Sequence, residues 1–323
     1  MATAEQIKAL IRSHKEGDDS RFYAVALQMA AQAARQGHGK LADELKNLVD
    51  EAKEASPVKK VTSIFQHKAD VSGLFTVYQP DEHLSSLIIP EEIKQRLERI
   101  IVEHRQKAKL HQFGLSPRKK VLIFGPPGTG KTLTASVLAG ELRLPLFTVR
   151  FDTLITKFMG ETAAKLRVVF DAIQATRGVY FFDEFDAIGG HRTSANDVGE
   201  IKRVLNSFLQ FLEQSNSDSI IIAATNNIQM LDKALFRRFD DVVEYRLPDQ
   251  RLIRQVLERK LKPVGIKKIE WDIVVQKCDG LSFADIGKAC EDALKNIILQ
   301  EISPELTTEI LLKHIEERLI ATS

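Results

Sequence analysis

Apolar residues along this chain follow three successive patterns. Over residues 1–56 they recur at helical spacing. Ser20 is placed to cap an alanine-rich helix that runs to about Gln36 and carries Ala26, Ala30, Ala33 and Ala34. Gly37-His38-Gly39 interrupts it. A second helix is expected from Leu41, with Leu41, Leu45, Leu48 and Val49 on one face. The alanines would let the two helices approach closely, which predicts a small N-terminal bundle of two or three helices. Such a bundle suits either a cap on the main domain or a separate partner-docking module. Residues 57–84 lose this periodicity. Pro57, Gly73 and Pro80 punctuate them, and Leu74 to Tyr78 is β-prone, so this stretch reads as a linker with one or two short strands.

The third pattern begins with a helix from Glu91 to about Leu110, built on Ile93, Leu97, Ile100 and Ile101. Short apolar runs then alternate with helical stretches. The runs are Val121–Phe124, Leu146–Val149, Val179–Phe182, Ser219–Ala224 and Val242–Arg246. The helices are expected from Lys131, near Ala163–Ala175 and near Gly199–Glu213. Continuously apolar strands separated by helices predict a parallel sheet with helices on both faces. This α/β domain is assigned to residues 85–247. Residues 248–323 read as helical, broken at Gly280 and Pro304, and form a small C-terminal helical domain.

Composition narrows the possibilities. The 323 residues carry 46 basic and 44 acidic side chains, which disfavours a nucleic-acid-binding protein with its concentrated basic excess. The run Arg118-Lys119-Lys120 reads as solvated surface. Two cysteines, Cys278 and Cys290, make no disulfide framework and no zinc pattern. They suit a reducing, cytoplasmic setting. No signal-peptide pattern opens the sequence, and no uncharged apolar run approaches the roughly 20 residues that span a bilayer.

The chemistry concentrates after the first strand. Gly125-Pro126-Pro127-Gly128-Thr129-Gly130-Lys131-Thr132 fits G-x-x-x-x-G-K-[ST] between a strand and a helix. Its glycines let backbone N–H groups turn inward on phosphate, and the helix N-terminus adds partial positive charge. Lys131 supplies a cation for the β- and γ-phosphates of ATP, and Thr132 a hydroxyl for Mg²⁺. A P-loop NTPase sheet is therefore expected. Its partner is an acid at the end of another strand, and Asp183-Glu184 follows Val179–Phe182. Asp183 is expected to hold Mg²⁺, and Glu184 to polarise the attacking water.

These segments resemble the AAA subgroup of AAA+ ATPases over about residues 85–320. Gly125–Thr132 resembles Walker A and Phe181–Asp186 resembles Walker B. Ala224-Thr225-Asn226-Asn227 resembles sensor 1, which implies that Asn226 lies near the γ-phosphate. Leu231–Asp240 resembles the arginine-finger segment, which implies that Arg237 and Arg238 reach the nucleotide of a neighbouring subunit. The two arginines are adjacent, as in the branch near katanin, spastin and Vps4, and either can be the dominant finger. Phe158-Met159-Gly160 resembles the pore loop that grips an extended polypeptide. Gly189-Gly190-His191-Arg192 lies where a second pore loop falls. In the helical domain, Gly280–Ile286 resembles G-x-x-G-A-D, with Phe283 in place of the second glycine. The resemblance makes that domain a lid and implies nucleotide contacts for Ala284, Leu133, Leu87 and Ile88.

The function this implies is a Mg²⁺-dependent ATPase. It works in a homo-oligomeric ring, a hexamer, and unfolds or remodels protein substrates. No peptidase is legible: H-E-x-x-H is absent, and His314-Ile315-Glu316-Glu317 has the wrong order. A separately encoded protease or an adaptor docking on residues 1–56 stays open, as does an ATP-driven assembly switch that threads nothing.

Overall fold

The computed structural model describes residues 8–10, 13, 19–35, 39–54, 73–154, 161–185, 195–230, 233–262, 269–299 and 306–322. The chain forms two compact units, Met1–His67 and Lys68–Ser323.

In the first unit, helix α1 (Asp19–Arg35) packs against α2 (Gly39–Glu54). Ala26, Ala30 and Ala33 are buried, as the alanine spacing predicts, whereas Ala34 is exposed and takes no part in the contact. The inward face of α2 differs from the expected one. Leu41 and Leu48 are 49% and 61% exposed, while Ala42 and Val49 are buried and Leu45 is half-buried. Small Ala42 lets α2 sit close to the alanine face of α1, which the longer Leu41 would hold off.

The second unit is built on a six-stranded sheet. Its strands are β1 (Phe75–Tyr78), β2 (Lys120–Phe124), β3 (Leu146–Val149), β4 (Val179–Phe182), β5 (Ile220–Thr225) and β6 (Asp241–Glu244). The spatial order is β1-β3-β4-β5-β2-β6. All pairings are parallel except β1 with β3, so the stretch between bundle and α/β domain supplies an antiparallel edge strand. Strands β4 and β5 are buried along their whole length, which is why they read as unbroken apolar runs.

Side chains alternate between two covered faces. On one, Val121, Ile123 and Phe181 pack in one cluster with Leu97 and Ile100 of α3 (Glu91–Arg105) and Leu138 of α4 (Lys131–Leu142). On the other, Phe182 meets Phe170 of α5 (Glu161–Ala175) and Phe208 of α6 (Ala195–Gln214) at ring separations of 6.2 and 5.2 Å. Tyr180 stacks on Phe147 at 4.5 Å, and its hydroxyl donates to Thr176 O at 2.9 Å. After the sheet come helices α7 (Gln250–Leu261), α8 (Trp271–Lys277), α9 (Phe283–Leu299) and α10 (Thr308–Thr322). They share their own core, which includes both cysteines. Burial pushes each thiol up to about 12, which keeps both protonated and unreactive.

Candidate nucleotide site

The sheet topology prepares a crevice. The chain leaves β2 and re-enters the sheet at β3, beyond β5 and β4, so the carboxyl ends of β2, β5 and β4 stand side by side. Ligands of open α/β sheets bind at such a point. Each end carries a residue singled out above. Gly125 follows β2, Asn226 follows β5, and Asp183 follows β4.

The phosphate loop owes its glycines to two close approaches. A Cβ on Gly125 (φ 149°) would meet the Tyr245 carbonyl oxygen at 2.0 Å. A Cβ on Gly128 (φ 74°) would meet Ser282 Oγ at 2.3 Å and Ala284 Cβ at 3.1 Å. The lid therefore rests on the loop itself, and Ala284 N donates to Gly128 O at 3.1 Å. Pro126, Pro127, Thr129 and Gly130 complete the curl, with Thr129 Oγ1 donating to Pro126 O at 2.8 Å. Lys131 begins α4 and is only 7% exposed. Its Nζ donates to Gly125 O and Pro126 O, each at 2.8 Å, so the ammonium is held across the loop.

The acid pair meets this loop. Thr132 Oγ1 donates to Asp183 Oδ2 at 3.0 Å, and Glu184 N donates to Asp183 Oδ1 at 3.0 Å. Glu184 has φ 50°, in the left-handed region that a side chain enters at a cost of about 1–2 kcal/mol. Its neighbours hold it there. Phe182 and Phe185 are fully buried on either side, and both rings contact Phe208 of α6, the second at 4.6 Å. Such strain concentrates where function requires a fixed geometry.

Asn226 lines a cavity of about 530 Å³ with Gly125, Pro126, Tyr245 and Arg246 among its walls. Leu133, 40% exposed, lies in the first turn of α4. Leu87 packs on the sheet core and Ile88 on the lid core. Both line a different cavity, of about 960 Å³, whose walls come from α3, the end of β6 and the start of α7 and include no phosphate-loop residue. The ring of Phe283 packs on the lid core, which leaves Ala284 towards the loop.

The two arginines stand elsewhere. They precede Asp240, whose backbone N donates to Lys120 O at 2.8 Å, at the start of β2. The phosphate loop leaves the opposite end of that strand, about 16 Å away at ~3.3 Å per residue. Arg238 Nε pairs with Glu213 Oε1 of α6 at 2.5 Å, and Arg237 is exposed. Phe158, Met159, Gly160 and Gly189–Arg192 lie outside the described residues.

Two sets of contacts were not foreseen, one of them within the Gly280–Ile286 segment already singled out. Ser282 and Asp285 form a capping box at the start of α9, with Asp285 N donating to Ser282 Oγ at 3.2 Å. The S-x-x-D spacing was the available signal. Tyr245 had none. Its carbonyl crosses Gly125, and its hydroxyl hydrogen-bonds that of Thr134 at 2.6 Å beneath the loop.

A phosphate loop, a strand-end acid pair and a lid on one mostly parallel sheet define a P-loop nucleoside triphosphatase. Residues 121–247 match the family described as "ATPase family associated with various cellular activities (AAA)", and the chain carries an ATPase domain of that family. It is 40% identical over 191 residues to an uncharacterised AAA family ATPase, y4kL, of Sinorhizobium fredii, covering 58% of this chain and 57% of that one. It is 36% identical over 214 residues to a proteasome-activating nucleotidase of Methanoregula boonei, covering 64% and 49%. The matches thus span about half the length of these relatives. Among solved structures, the crystal structure of the FIGL-1 AAA domain superposes with a TM-score of 0.62 at 21% identity, over 81% of this chain and 93% of that one. At that identity the likeness concerns the fold. Among the described residues, no helix is long and apolar enough to cross a membrane.

Proposed function

We propose that this chain is a Mg²⁺-dependent ATPase subunit of a homo-oligomeric ring, a hexamer, that remodels protein substrates. The observation that carries the shared-site reading is the placement of Arg237 and Arg238. They lie at the start of β2, while their own phosphate loop leaves its far end. If they serve a nucleotide, it is the nucleotide of another copy.

The residues at hand fit Mg²⁺. Thr132 Oγ1 and Asp183 Oδ2 are hard oxygen donors 3.0 Å apart, and this ion takes few protein ligands beside waters and phosphate oxygens. When bound, it offsets charge on the phosphates. Lys131 exchanges its two loop carbonyls for β- and γ-phosphate oxygens. Glu184 polarises the attacking water and takes its proton, and Asn226 orients that water. Ala284 and Leu133 bound the nucleotide, and Leu87 and Ile88 connect its two walls. Arg237 and Arg238 of the neighbouring copy stabilise the transferring phosphoryl group, a contribution of ~10³–10⁵ in rate where such fingers have been measured. Turnover per subunit should therefore rise with protein concentration as rings form. A turnover that stays constant down to a demonstrated monomer would overturn the shared site.

Substrate handling rests on Phe158, Met159 and Gly160 as the pore loop. Phe158→Ala should abolish substrate processing and leave basal hydrolysis intact, whereas an assembly switch would be indifferent. A second reading, service to a separate protease, is favoured by the likeness to a relative named as a proteasome-activating nucleotidase. In that reading residues 1–56 are the docking module. Affinity capture with the full-length Glu184→Gln chain separates the two, because a stalled ring keeps its client or its protease. We place this activity in the cytoplasm, where two unpaired, buried thiols suit a reducing setting.

A further inference from the structure

The arginine pair sits on a turn that is fixed on both sides. Upstream, Leu235 is fully buried and its carbonyl accepts from Arg238 N at 3.0 Å. Laterally, Arg238 Nε reaches Glu213 on α6. Downstream, Phe239 is buried. Next to it, one oxygen of Asp240, Oδ2, accepts from Lys119 N at 2.8 Å and from Lys120 N at 2.9 Å. Asp240 N returns a bond to Lys120 O at 2.8 Å. The regular β2–β6 ladder begins only one residue later, at Val121 with Asp241.

We propose that Asp240 is a positioning residue for the arginine pair, tying their turn to the first residues of the strand that ends in the phosphate loop. The inference rests on the shared-site reading above. Side-chain bonding here extends the ladder by one residue and so sets the angle at which the chain leaves β6 towards Arg238 and Arg237. Without it, the turn pivots about Phe239, and a finger that must meet a phosphoryl group in another subunit loses its fixed origin. Both bonds lie at the surface, from half-buried Lys119 and Lys120 to exposed Asp240, so water takes the place of the carboxylate when it is removed and the fold persists. The effect needs an acceptor, not a charge. Both bonds go to a single oxygen, which an asparagine amide also provides.

The test uses full-length variants, with ATP affinity measured by a fluorescent nucleotide and turnover measured where the wild-type protein is assembled. Asp240→Ala should keep wild-type ATP affinity and lose turnover by roughly tenfold to a hundredfold, the scale set by a displacement of about 1 Å. Asp240→Asn should retain turnover. Mixing Asp240→Ala with Lys131→Ala should restore activity, because the second chain presents an intact turn to the first chain's phosphate loop. Wild-type turnover in Asp240→Ala, or no recovery on mixing, would overturn the proposal. An Arg237→Ala/Arg238→Ala chain serves as the control. If it is inactive while Asp240→Ala is active, only the positioning role falls. If it is fully active, the shared site falls as well.

Discussion

Thr132 and Asp183, 51 positions apart in sequence, are joined by a 3.0 Å hydrogen bond. Their strands are not neighbours, because β5 runs between β2 and β4. Two strand spacings are about 9.6 Å, so the loop and the first turn of α4 must lean across β5 to make this contact. The bond therefore reports that the phosphate loop, the sheet and the acid pair share one geometry. It brings together the two oxygens that suit a Mg²⁺ site.

Glu184→Gln should bind ATP and hydrolyse it about 10²–10⁴-fold more slowly, since only the base is removed. Lys131→Ala should instead lose ATP binding. Equilibrium titration and phosphate release read these separately. Wild-type turnover in Glu184→Gln would exclude that carboxylate as the base.

Gly128→Ala tests the seat of the lid on the loop. The added carbon meets Ser282 Oγ at 2.3 Å on a backbone of φ 74°, so lid or loop must move. Backbone strain alone is about 1–2 kcal/mol. Weaker ATP binding and a lower melting temperature are expected. A variant with unaltered affinity would show that the lid contact does not shape the nucleotide site.

Phe208→Ala removes the ring against which Phe182 and Phe185 pack. Loss of a buried phenylalanine destabilises a domain by about 3–5 kcal/mol, readable by denaturant titration. Because those two rings flank Asp183 and Glu184, turnover should fall more than ATP affinity. Equal loss in both would mean that the aromatic cluster supports the fold but does not aim the acid pair.

His104 makes stability depend on pH. It is buried, with Nε2 against Arg118 O at 2.7 Å. Burial is the main cause that lowers its pKa below 6.5, partly opposed by that hydrogen bond. The unfolded chain then takes up a proton that the native state resists. Its contribution is present above pH 6.5 and is lost as pH falls from 6.5 through the lowered native value. Unfolding titrations on either side of pH 6.5 should show the loss. His104→Gln keeps a donor for the carbonyl and should flatten the dependence. An unchanged slope would assign it to other groups.

Local chemistry alone made much of this protein legible in its sequence. Val121–Phe124, Leu146–Val149 and Val179–Phe182 declare themselves as strands because burial on both faces makes nearly every position apolar, the half-buried Thr148 being the exception. Gly125–Thr132 and Asp183-Glu184 are legible because phosphate and Mg²⁺ chemistry demand particular residue types at short spacing. Relations between distant segments depend on how the chain returns to itself. Only the tertiary structure turned Ala42 inward and left Leu41 out, since the choice depends on the shape of the facing helix. Only it placed Tyr245 under Gly125 and Ser282 against Gly128, because close approach is a property of two backbones at once. It also set Arg237 and Arg238 at the opposite end of β2 from their own phosphate loop. Strand direction and order decide that separation, and neither is written in any one motif.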